Sequence, residues 1–332
     1  MSSSTVERAV EASTRRRALL SEKHRPLVVA YGLIVVMLIV AGIRHPGFVE
    51  PGNLRNQLVL ASFLGIAAAG QTILILTGGI DLSLAWNLNF SAILMTQLTK
   101  SDMSAGNVTR AIFLALLSSC VVGFINGLGV AYLRIPSLVM TLGMNTVLLG
   151  LTLYYTKGTP QGTAPNVILD LATGRIFGIP WALILWAIIS VVVIFVLRRS
   201  VYGRRVYAIG NNVRAAYLSG VPVRGVLLAS YTVAGLFAGI TGLLLTGYSN
   251  QSYIRMGDDR VLPSIAAVVV GGTSILGGSG GYAGTIAGAI LITLLQNVLA
   301  IENIGQADQQ ILFGLIVLVM LFIYGREGKV RE

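Results

Sequence analysis

Apolar runs separated by short polar segments fill most of the chain. A helix needs about 20 mostly apolar residues to cross a hydrocarbon core of about 30 Å. Several of the runs have this length, so the pattern predicts an all-α, polytopic bundle of transmembrane helices with about ten spans. The ten runs cover residues 27–43, 58–76, 84–98, 111–133, 138–155, 179–197, 226–248, 262–272, 282–300 and 311–324.

Two of these runs, 84–98 and 262–272, are shorter than an ordinary span. The 24 basic residues test whether they cross, because cytoplasmic segments of membrane proteins are enriched in Lys and Arg. With all ten runs crossing, 16 basic residues lie inside and 8 outside. If run 84–98 does not cross, 12 basic residues lie inside and 12 outside. If only run 262–272 does not cross, 13 lie inside and 11 outside. We therefore predict that both runs cross, that both termini are cytoplasmic, and that Gly-rich backbone buried in protein completes the short spans.

The same pattern divides the chain into three parts. Residues 1–26 form a basic, cytoplasmic segment suited to a surface of anionic lipid, residues 27–325 the transmembrane domain, and residues 326–332 a cytoplasmic tail. No small-residue cleavage site follows the first run, which is therefore interpreted as an uncleaved span.

Composition narrows the class of protein further. Of the 332 residues, 55% are hydrophobic and 11% are charged, whereas soluble domains usually have about 25% charged residues. The net charge of +11 does not indicate nucleic-acid binding, because the basic residues lie between apolar runs and form no stripe with interleaved aromatic residues. These values predict a multi-pass membrane protein.

Catalytic and cofactor motifs are missing from the sequence. Cys120 lies in an apolar run, and the two histidines, His24 and His45, have no partners at metal-ligand spacing. None of the four lysines stands in a phosphate-binding loop of the form GxxxxGKS or GxxxxGKT. We expect no metal, no cofactor and no enzymatic activity, so the energy for any transport must come from another protein.

The longest polar segment, residues 197–224, carries six arginines and no acid. This composition predicts a cytoplasmic loop. Within the loop, Val213, Ala216 and Tyr217 fall at i, i+3 and i+4, which is the spacing of one helix face. A short helix with an apolar stripe is therefore predicted here.

Residues suited to capping delimit this short helix. Asn211 or Asn212 can cap its start, and Gly220 followed by Pro222 ends it. Two interpretations of the capped helix stay open. It is either a surface for a soluble partner to grip or a loop helix packed on its own bundle.

Asp81 is the one carboxylate between two closely spaced apolar runs, in the sequence Gly78-Gly79-Ile80-Asp81-Leu82-Ser83. An acid within a membrane domain is a functional candidate. An Asp directly ahead of a helix also accepts backbone N–H groups at the positive end of the helix dipole. We favour this capping role over proton or cation binding, with the glycine pair providing the freedom for a sharp entry.

A second glycine pair, Gly271 and Gly272, stands in a similar context. Segments 75–95 and 269–291 both place a glycine pair after an apolar run and ahead of a helix. In the ten-span order the two segments have the same orientation, which predicts a parallel internal repeat. Three GxxxG pairs also predict close helix packing: Gly123 with Gly127, Gly235 with Gly239, and Gly284 with Gly288.

Uncharged amides inside the spans are the candidates for contact with solute. Each can donate and accept hydrogen bonds, as the hydroxyls of a neutral polyol do. Hydrogen bonds between helices explain any one of them equally well. We predict a solute pathway that includes Gln71, Asn87, Asn89 and Asn145, from the full set of Gln71, Asn87, Asn89, Asn126, Asn145, Gln296 and Asn297.

Four segments carry a resemblance to a known family. They are TGGIDLS (77–83), INGLGVAYLRIPSLVMTLG (125–143), YGRRVYAIGNNVRAAYLSGV (202–221) and IAAVVVGGTSILGGSGGYAGTIAGAIL (265–291). In this order they resemble the permease subunit of bacterial ABC importers of the ribose and other monosaccharide type, a family with branched-chain amino acid relatives. The resemblance covers residues 58–324.

This resemblance implies a multi-pass permease in the bacterial inner membrane, one of two permease subunits that together form the translocation path. An ABC ATPase subunit energises such a permease, and an extracytoplasmic solute-binding protein supplies it. The resemblance also implies that the helix in the polar loop docks on the ATPase. The residues carried over to this coupling element are Asn212, Arg214, Ala215, Ala216, Ser219 and Gly220.

The resemblance indicates the class of solute but not the particular molecule. Asp81, Leu82 and Ser83 resemble the sugar branch of the family, since Asn-Leu is expected in the amino acid branch. After Ser83 the chain continues with bulky residues such as Trp86 where similar sequences have Val-Gly, so another sugar, a polyol or another small polar molecule stays open. The alternatives are a branched-chain amino acid ABC permease and an ion-coupled secondary transporter, for which the spans offer essentially no titratable group at mid-membrane.

Overall fold

The computed structural model describes residues 29–327, and helices make up most of this part. The α-helices are α1 (Val29–Arg44), α2 (Pro51–Leu76), α3 (Leu84–Thr99), α4 (Ala105–Ala131), α5 (Ser137–Thr156), α6 (Asn166–Thr173), α7 (Trp181–Arg199), α8 (Val201–Asn211), α9 (Val213–Leu218), α10 (Val223–Ser249), α11 (Val261–Val270), α12 (Tyr282–Ile301) and α13 (Gln306–Glu327). Two 3-10 helices, Pro46–Val49 and Asp258–Arg260, and an antiparallel hairpin of β1 (Arg175–Ile176) and β2 (Ile179–Pro180) complete the fold. The predicted segment 1–26 lies outside the described residues, as do residues 328–332 of the predicted tail.

Six of the described helices are long and apolar enough to cross a membrane, namely α2, α4, α5, α7, α10 and α12. The other predicted runs correspond to α1, α3, α11 and α13, of which α3 has 16 residues and α11 has 10. The prediction of an all-α, polytopic bundle is thereby confirmed. The number of about ten spans and the cytoplasmic position of both termini stay predictions.

The structure adds elements that the apolar runs do not predict. α6 and the β-hairpin lie between α5 and α7, and α8 lies within the polar loop 197–224. α8 buries Gly203, Val206 and Ile209 along one side. Ser200 caps the start of α8 by accepting a bond from the Gly203 N–H at 3.0 Å.

α2 and α3 form the centre of the bundle. All residues of α2 from Ala61 to Leu76 are buried, and so are most residues of α3. α10 packs against α2, α3 and α4, while α12 packs against α2 and α11. Large apolar side chains remain exposed on α4, α5, α7 and α13, so these helices form the outer surface of the bundle.

Glycine brings pairs of helices into backbone contact. A Cβ atom on Gly123 of α4 would lie 2.2 Å from the Tyr231 carbonyl oxygen of α10. A Cβ atom on Gly284 of α12 would lie 1.8 Å from the Gly271 carbonyl oxygen at the end of α11. Neither position has room for a side chain, so the predicted role of the GxxxG pairs in helix packing is confirmed by contacts within the chain.

The bundle has two ends, which we name after the helices found there. The α9 end comprises α8, α9, residues 77–83 and residues 271–281, and here the Gly278 N–H donates to the Leu76 carbonyl at 3.0 Å. The α6 end comprises α6 and the hairpin together with the turns that follow α1 and α12, where Arg44 and Glu302 form an ion pair at 3.2 Å. α2 runs from the α6 end to the α9 end.

Candidate functional site

The backbone turns sharply where α2 ends. Gly78 has a φ of 82°, in the left-handed region that strains other residues. The Gly78 N–H donates to the Ile75 carbonyl at 2.9 Å, and the Gly79 N–H donates to the Leu74 carbonyl at 3.0 Å. This pair of bonds is a Schellman cap, so the glycine pair closes α2 and reverses the chain.

Buried polar side chains hold the next residues inside the bundle. The Gln71 Nε2 atom donates to the Asp81 carbonyl at 2.6 Å, and the Gln71 Oε1 atom accepts from the Asp81 N–H at 3.3 Å. The Leu82 N–H donates to Thr141 Oγ1 at 3.0 Å. The chain therefore returns alongside α2, and α3 begins within the bundle instead of at its surface.

The Asp81 carboxylate binds the residue that precedes α3. Its Oδ1 atom accepts from the Ser83 N–H at 2.8 Å and from the Ser83 hydroxyl at 2.6 Å. Asn126 Nδ2 donates to Ser83 Oγ at 2.8 Å. Asp81 thus stabilises the turn into α3, with its bonds going to Ser83 and not to N–H groups inside the helix.

A second segment runs into the bundle beside α3. Asn89 Nδ2 donates to the Tyr253 carbonyl at 3.1 Å. Gly257 then lies against the start of α3, because a Cβ atom there would be 2.2 Å from the Ala85 carbonyl oxygen. The segment between α10 and α11 therefore follows α3 inward from the α6 end.

α11 begins where this segment ends. Its first residue, Val261, packs against the apolar cluster that contains Leu84, the first residue of α3. From this meeting point α3 runs toward the α6 end and α11 runs toward the α9 end. The two short runs are therefore half helices whose N-termini meet inside the bundle, where free N–H groups carry partial positive charge.

α11 ends with the same cap as α2. Gly272 has a φ of 87°. The Gly272 N–H donates to the Val269 carbonyl at 2.9 Å, and the Thr273 N–H donates to the Val268 carbonyl at 3.2 Å. Both glycine pairs of the predicted internal repeat thus form a Schellman cap at the same end of the bundle.

Unpaired oxygen atoms gather near the start of α3. Asn87 Oδ1, Asn126 Oδ1 and Ser119 Oγ are buried and have no hydrogen-bond partner among the described residues. The Asn87 Nδ2 atom lies 3.4 Å from the Ser119 carbonyl, which places two of these groups together. Asn89 Oδ1 is likewise unpaired within this part of the chain. Such oxygens can accept hydrogen bonds from the hydroxyls of a small solute.

The remaining candidate amides have other surroundings. Both polar atoms of Gln71 bond to the Asp81 backbone, so a contact with solute would first require these bonds to break. Asn145 lies half-buried on α5, and its Oδ1 atom has no partner among residues 29–327. Gln296 and Asn297 lie half-buried on α12, away from the start of α3.

The short helix in the polar loop forms where the sequence predicts it. α9 covers Val213–Leu218, and Asn212 caps it by accepting from the Ala215 N–H at 2.9 Å. Gly220 follows the helix with a φ of 80° and donates from its N–H to the Tyr217 carbonyl at 3.0 Å. Both predicted boundaries of this helix are confirmed.

α9 projects from the bundle. Ala216 is its one buried residue, while Tyr217 and Leu218 are 70% and 77% exposed. Arg214 and Ser219 are also exposed. Five of the six α9 residues are therefore exposed, and the helix packs on its own bundle through Ala216.

A polytopic bundle with two half helices, buried uncharged amides and a projecting loop helix is the architecture of a membrane transport subunit. Comparison with known sequences gives the same class. The chain belongs to the family of permease components of branched-chain amino acid transport systems, whose family model matches residues 53–324.

Several relatives resemble the chain over most of its length. It is 35% identical to the ribose import permease protein RbsC of Bacillus subtilis (strain 168), over 88% of this chain and 90% of the relative. It is 32% identical to the probable ABC transporter permease protein YphD of Escherichia coli (strain K12), over 86% of each chain. It is 29% identical to the L-arabinose ABC transporter permease protein AraH of Azospirillum brasilense, over 90% of this chain and 89% of the relative. No solved structure matches the chain.

Proposed function

We propose that this chain is the permease subunit of an ABC importer and forms the translocation path for a monosaccharide or a similar small neutral polar solute. The observation that carries the proposal is the combination of buried, uncharged oxygen acceptors near the start of α3 with an exposed helix at the α9 end. The relatives named for ribose and arabinose support a sugar over a branched-chain amino acid. An ion-coupled transporter is less well supported, because Asp81 is bonded to Ser83 in a turn.

The proposed path passes the point where α3 and α11 meet. Asn87, Asn89, Asn126 and Ser119 present unpaired oxygens there, and the two helix N-termini add N–H groups. Together they provide acceptors and donors for the hydroxyls of a sugar. Asn145 on α5 adds a further acceptor to this set. Gln71 has an indirect role, because its hydrogen bond to the Asp81 backbone fixes the turn that precedes α3.

The proposed topology has about ten spans and places the α9 end and both termini in the cytoplasm. The excess of basic residues on this side supports it. The ABC ATPase subunit then docks on α9 and its flanks through Asn212, Arg214, Ala215, Ala216, Ser219 and Gly220. Closure of the ATPase pair on ATP would push on α9 and switch the path between outward and inward openings.

A second permease subunit, identical or different, is proposed to pack along α5. This helix buries few of its residues in its own subunit. A Cβ atom on Gly143 or Gly150 would meet no other atom within 4 Å, so another backbone has room to approach. Membrane lipid is proposed to cover the exposed apolar faces of α4, α7 and α13.

The α6 end is proposed to receive the solute-binding protein. Phe177, at the tip of the β-hairpin, is 97% exposed. Arg55 and Arg175 line a neighbouring cavity of about 110 Å³, and neither forms an ion pair within residues 29–327. An exposed aromatic ring beside unpaired guanidinium groups fits a partner surface that offers an acidic and an apolar side chain.

Uptake by the reconstituted assembly tests the proposal. Proteoliposomes that hold the permease and its ATPase would be supplied with ATP, binding protein and labelled ribose or arabinose. We expect accumulation that needs ATP and ATPase and persists with a protonophore. Accumulation without the ATPase that a protonophore stops would instead identify an ion-coupled transporter.

A further inference from the structure

α9 contacts the main core through a single buried side chain. Ala216 is its one buried residue, and Asn212 alone separates its first residue from Asn211, the last residue of α8. A force on α9 therefore reaches the spans chiefly through the neighbouring helices. α8 is the better placed of these, because it buries Val206 and Ile209 in the main core.

The far end of α8 touches two other segments backbone to backbone. A Cβ atom on Gly210 would lie 1.9 Å from the Leu76 carbonyl oxygen and 2.4 Å from the Gly278 nitrogen. These two atoms are hydrogen-bonded to each other at 3.0 Å. Gly210 thus sits against a bond that joins the end of α2 to the loop between α11 and α12, and no side chain separates the three segments.

Side chains of α8 also form hydrogen bonds with the loop between α11 and α12. The Tyr207 hydroxyl donates to the Gly280 carbonyl at 2.9 Å. Burial raises the pKa of Tyr207, against the opposing charge of Arg198, so the hydroxyl stays a protonated donor at neutral pH. Asn211 Nδ2 donates to the Tyr207 carbonyl at 2.9 Å and lies 3.5 Å from the Gly278 carbonyl. The helix and the loop are therefore held together at both sides of Gly210.

The segments that meet here lead directly to the proposed solute path. Leu76 ends α2 and is followed by the turn that carries Asp81 to the start of α3. The loop 271–281 follows the half helix α11 and precedes α12. A displacement of α8 is thus passed to one half helix through the end of α2 and to the other through the loop.

We propose that the junction formed by Tyr207, Gly210, Leu76, Gly278 and Gly280 transmits the motion of the docked ATPase to α3 and α11. Gly210 is its central positioning residue, because backbone contact makes the junction stiff. The inference rests on the proposed function, since it presumes that an ATPase docks at α9. It adds the route by which ATP hydrolysis and solute movement are linked.

The test compares Gly210→Ala and Tyr207→Phe with Gly225→Ala in the reconstituted importer. A Cβ atom on Gly225, which lies on α10 at the same end, would meet no atom within 4 Å, so this variant is a matched control. The readouts are ATPase binding, ATP hydrolysis, and solute transported per ATP hydrolysed. We expect the first two to persist while solute per ATP falls by about 2- to 30-fold, the range for mutations that alter coupling. Gly225→Ala should match the parent.

A folded variant that transports as much solute per ATP as the parent overturns the proposal, whether or not hydrolysis and transport fall together. Tyr207→Phe removes one hydroxyl without adding bulk. If Gly210→Ala does not fold, the solute transported per ATP by Tyr207→Phe alone tests the proposal. Loss of ATPase binding in either variant also overturns it, because the junction would then serve docking. A parent chain that neither binds nor stimulates an ATPase contradicts the proposed function itself and is seen before any variant is compared.

Discussion

The Gln71 side chain forms two hydrogen bonds with the backbone of Asp81. Its Nε2 atom donates to the Asp81 carbonyl at 2.6 Å and its Oε1 atom accepts from the Asp81 N–H at 3.3 Å. One side chain thus satisfies two backbone groups that lie inside the bundle, where water does not reach them. The position of the turn ahead of α3 depends on this pairing.

Gln71→Leu is therefore expected to destabilise the protein strongly. Leaving a buried N–H or C=O without a partner costs about 1–3 kcal/mol for each group. Thermal unfolding in detergent measures the effect against Gln296→Leu, since the half-buried Gln296 amide has no hydrogen bond among the described residues. Equal stability of the two variants would contradict this role of Gln71.

Asp81→Asn separates stabilisation of the turn into α3 from proton or cation binding. Asn keeps the Oδ1 atom that accepts from the Ser83 N–H and hydroxyl, but it has no charge and no proton to exchange. We expect Asp81→Asn to transport near the parent rate and Asp81→Leu to lose most transport. Loss of uptake in Asp81→Asn, with normal amounts of protein in the membrane, would favour the titrating role.

Ala215→Glu is expected to abolish uptake while the protein stays in the membrane. Ala215 is exposed on α9, and a carboxylate there changes the charge of the proposed ATPase surface. Ala105→Glu, at the exposed start of α4 and the opposite end of the bundle, is the matched control and should transport normally. Uptake at the parent rate in Ala215→Glu would show that α9 is not the docking element.

Gly220→Pro tests the end of the same helix. Gly220 has a φ of 80° and donates its N–H to Tyr217, whereas proline requires a negative φ and has no N–H. We expect this variant to lose ATPase binding and uptake together. Retention of both would mean that the shape of the loop after α9 does not matter for docking.

Asn87→Ala and Asn89→Ala test the proposed solute path. Loss of one hydrogen bond to a neutral hydroxyl costs about 0.5–1.5 kcal/mol, so the KM for the sugar should rise about 2- to 13-fold. Asn297→Ala, on α12, should leave the KM unchanged. An unchanged KM in both α3 variants would place the solute elsewhere in the bundle.

Periodicity and charge predicted the parts of the fold that depend on local sequence. The helix bundle follows from the apolar runs, and α9 follows from Asn212, its apolar spacing and Gly220. α8 was missed because it lies among polar residues, and the hairpin before α7 was missed because each of its strands has only two residues and the second lies in the apolar run 179–197. The spacing of Tyr202, Val206 and Ile209 in α8 was the available signal.

The candidate site depended on contacts between distant residues, which one sequence does not contain. The short runs predicted broken helices, but the packing of Val261 against the cluster that contains Leu84 arises from tertiary structure. Gln71 and Asn87 look alike in sequence as buried amides. In the structure, both polar atoms of the Gln71 amide bond to the Asp81 backbone, whereas Asn87 Oδ1 has no partner among the described residues.

The central claim is that an ATPase binds this permease at α9 from the cytoplasm. Cysteine labelling at the two ends of the bundle tests this claim most directly. In a Cys120→Ser background, Leu218→Cys and Phe177→Cys would each provide one exposed thiol for a membrane-impermeant maleimide. We predict that Leu218→Cys reacts in inside-out vesicles alone and is protected by the bound ATPase, while Phe177→Cys reacts in right-side-out vesicles alone. Labelling of Leu218→Cys from the exterior, or no protection by the ATPase, would contradict the account.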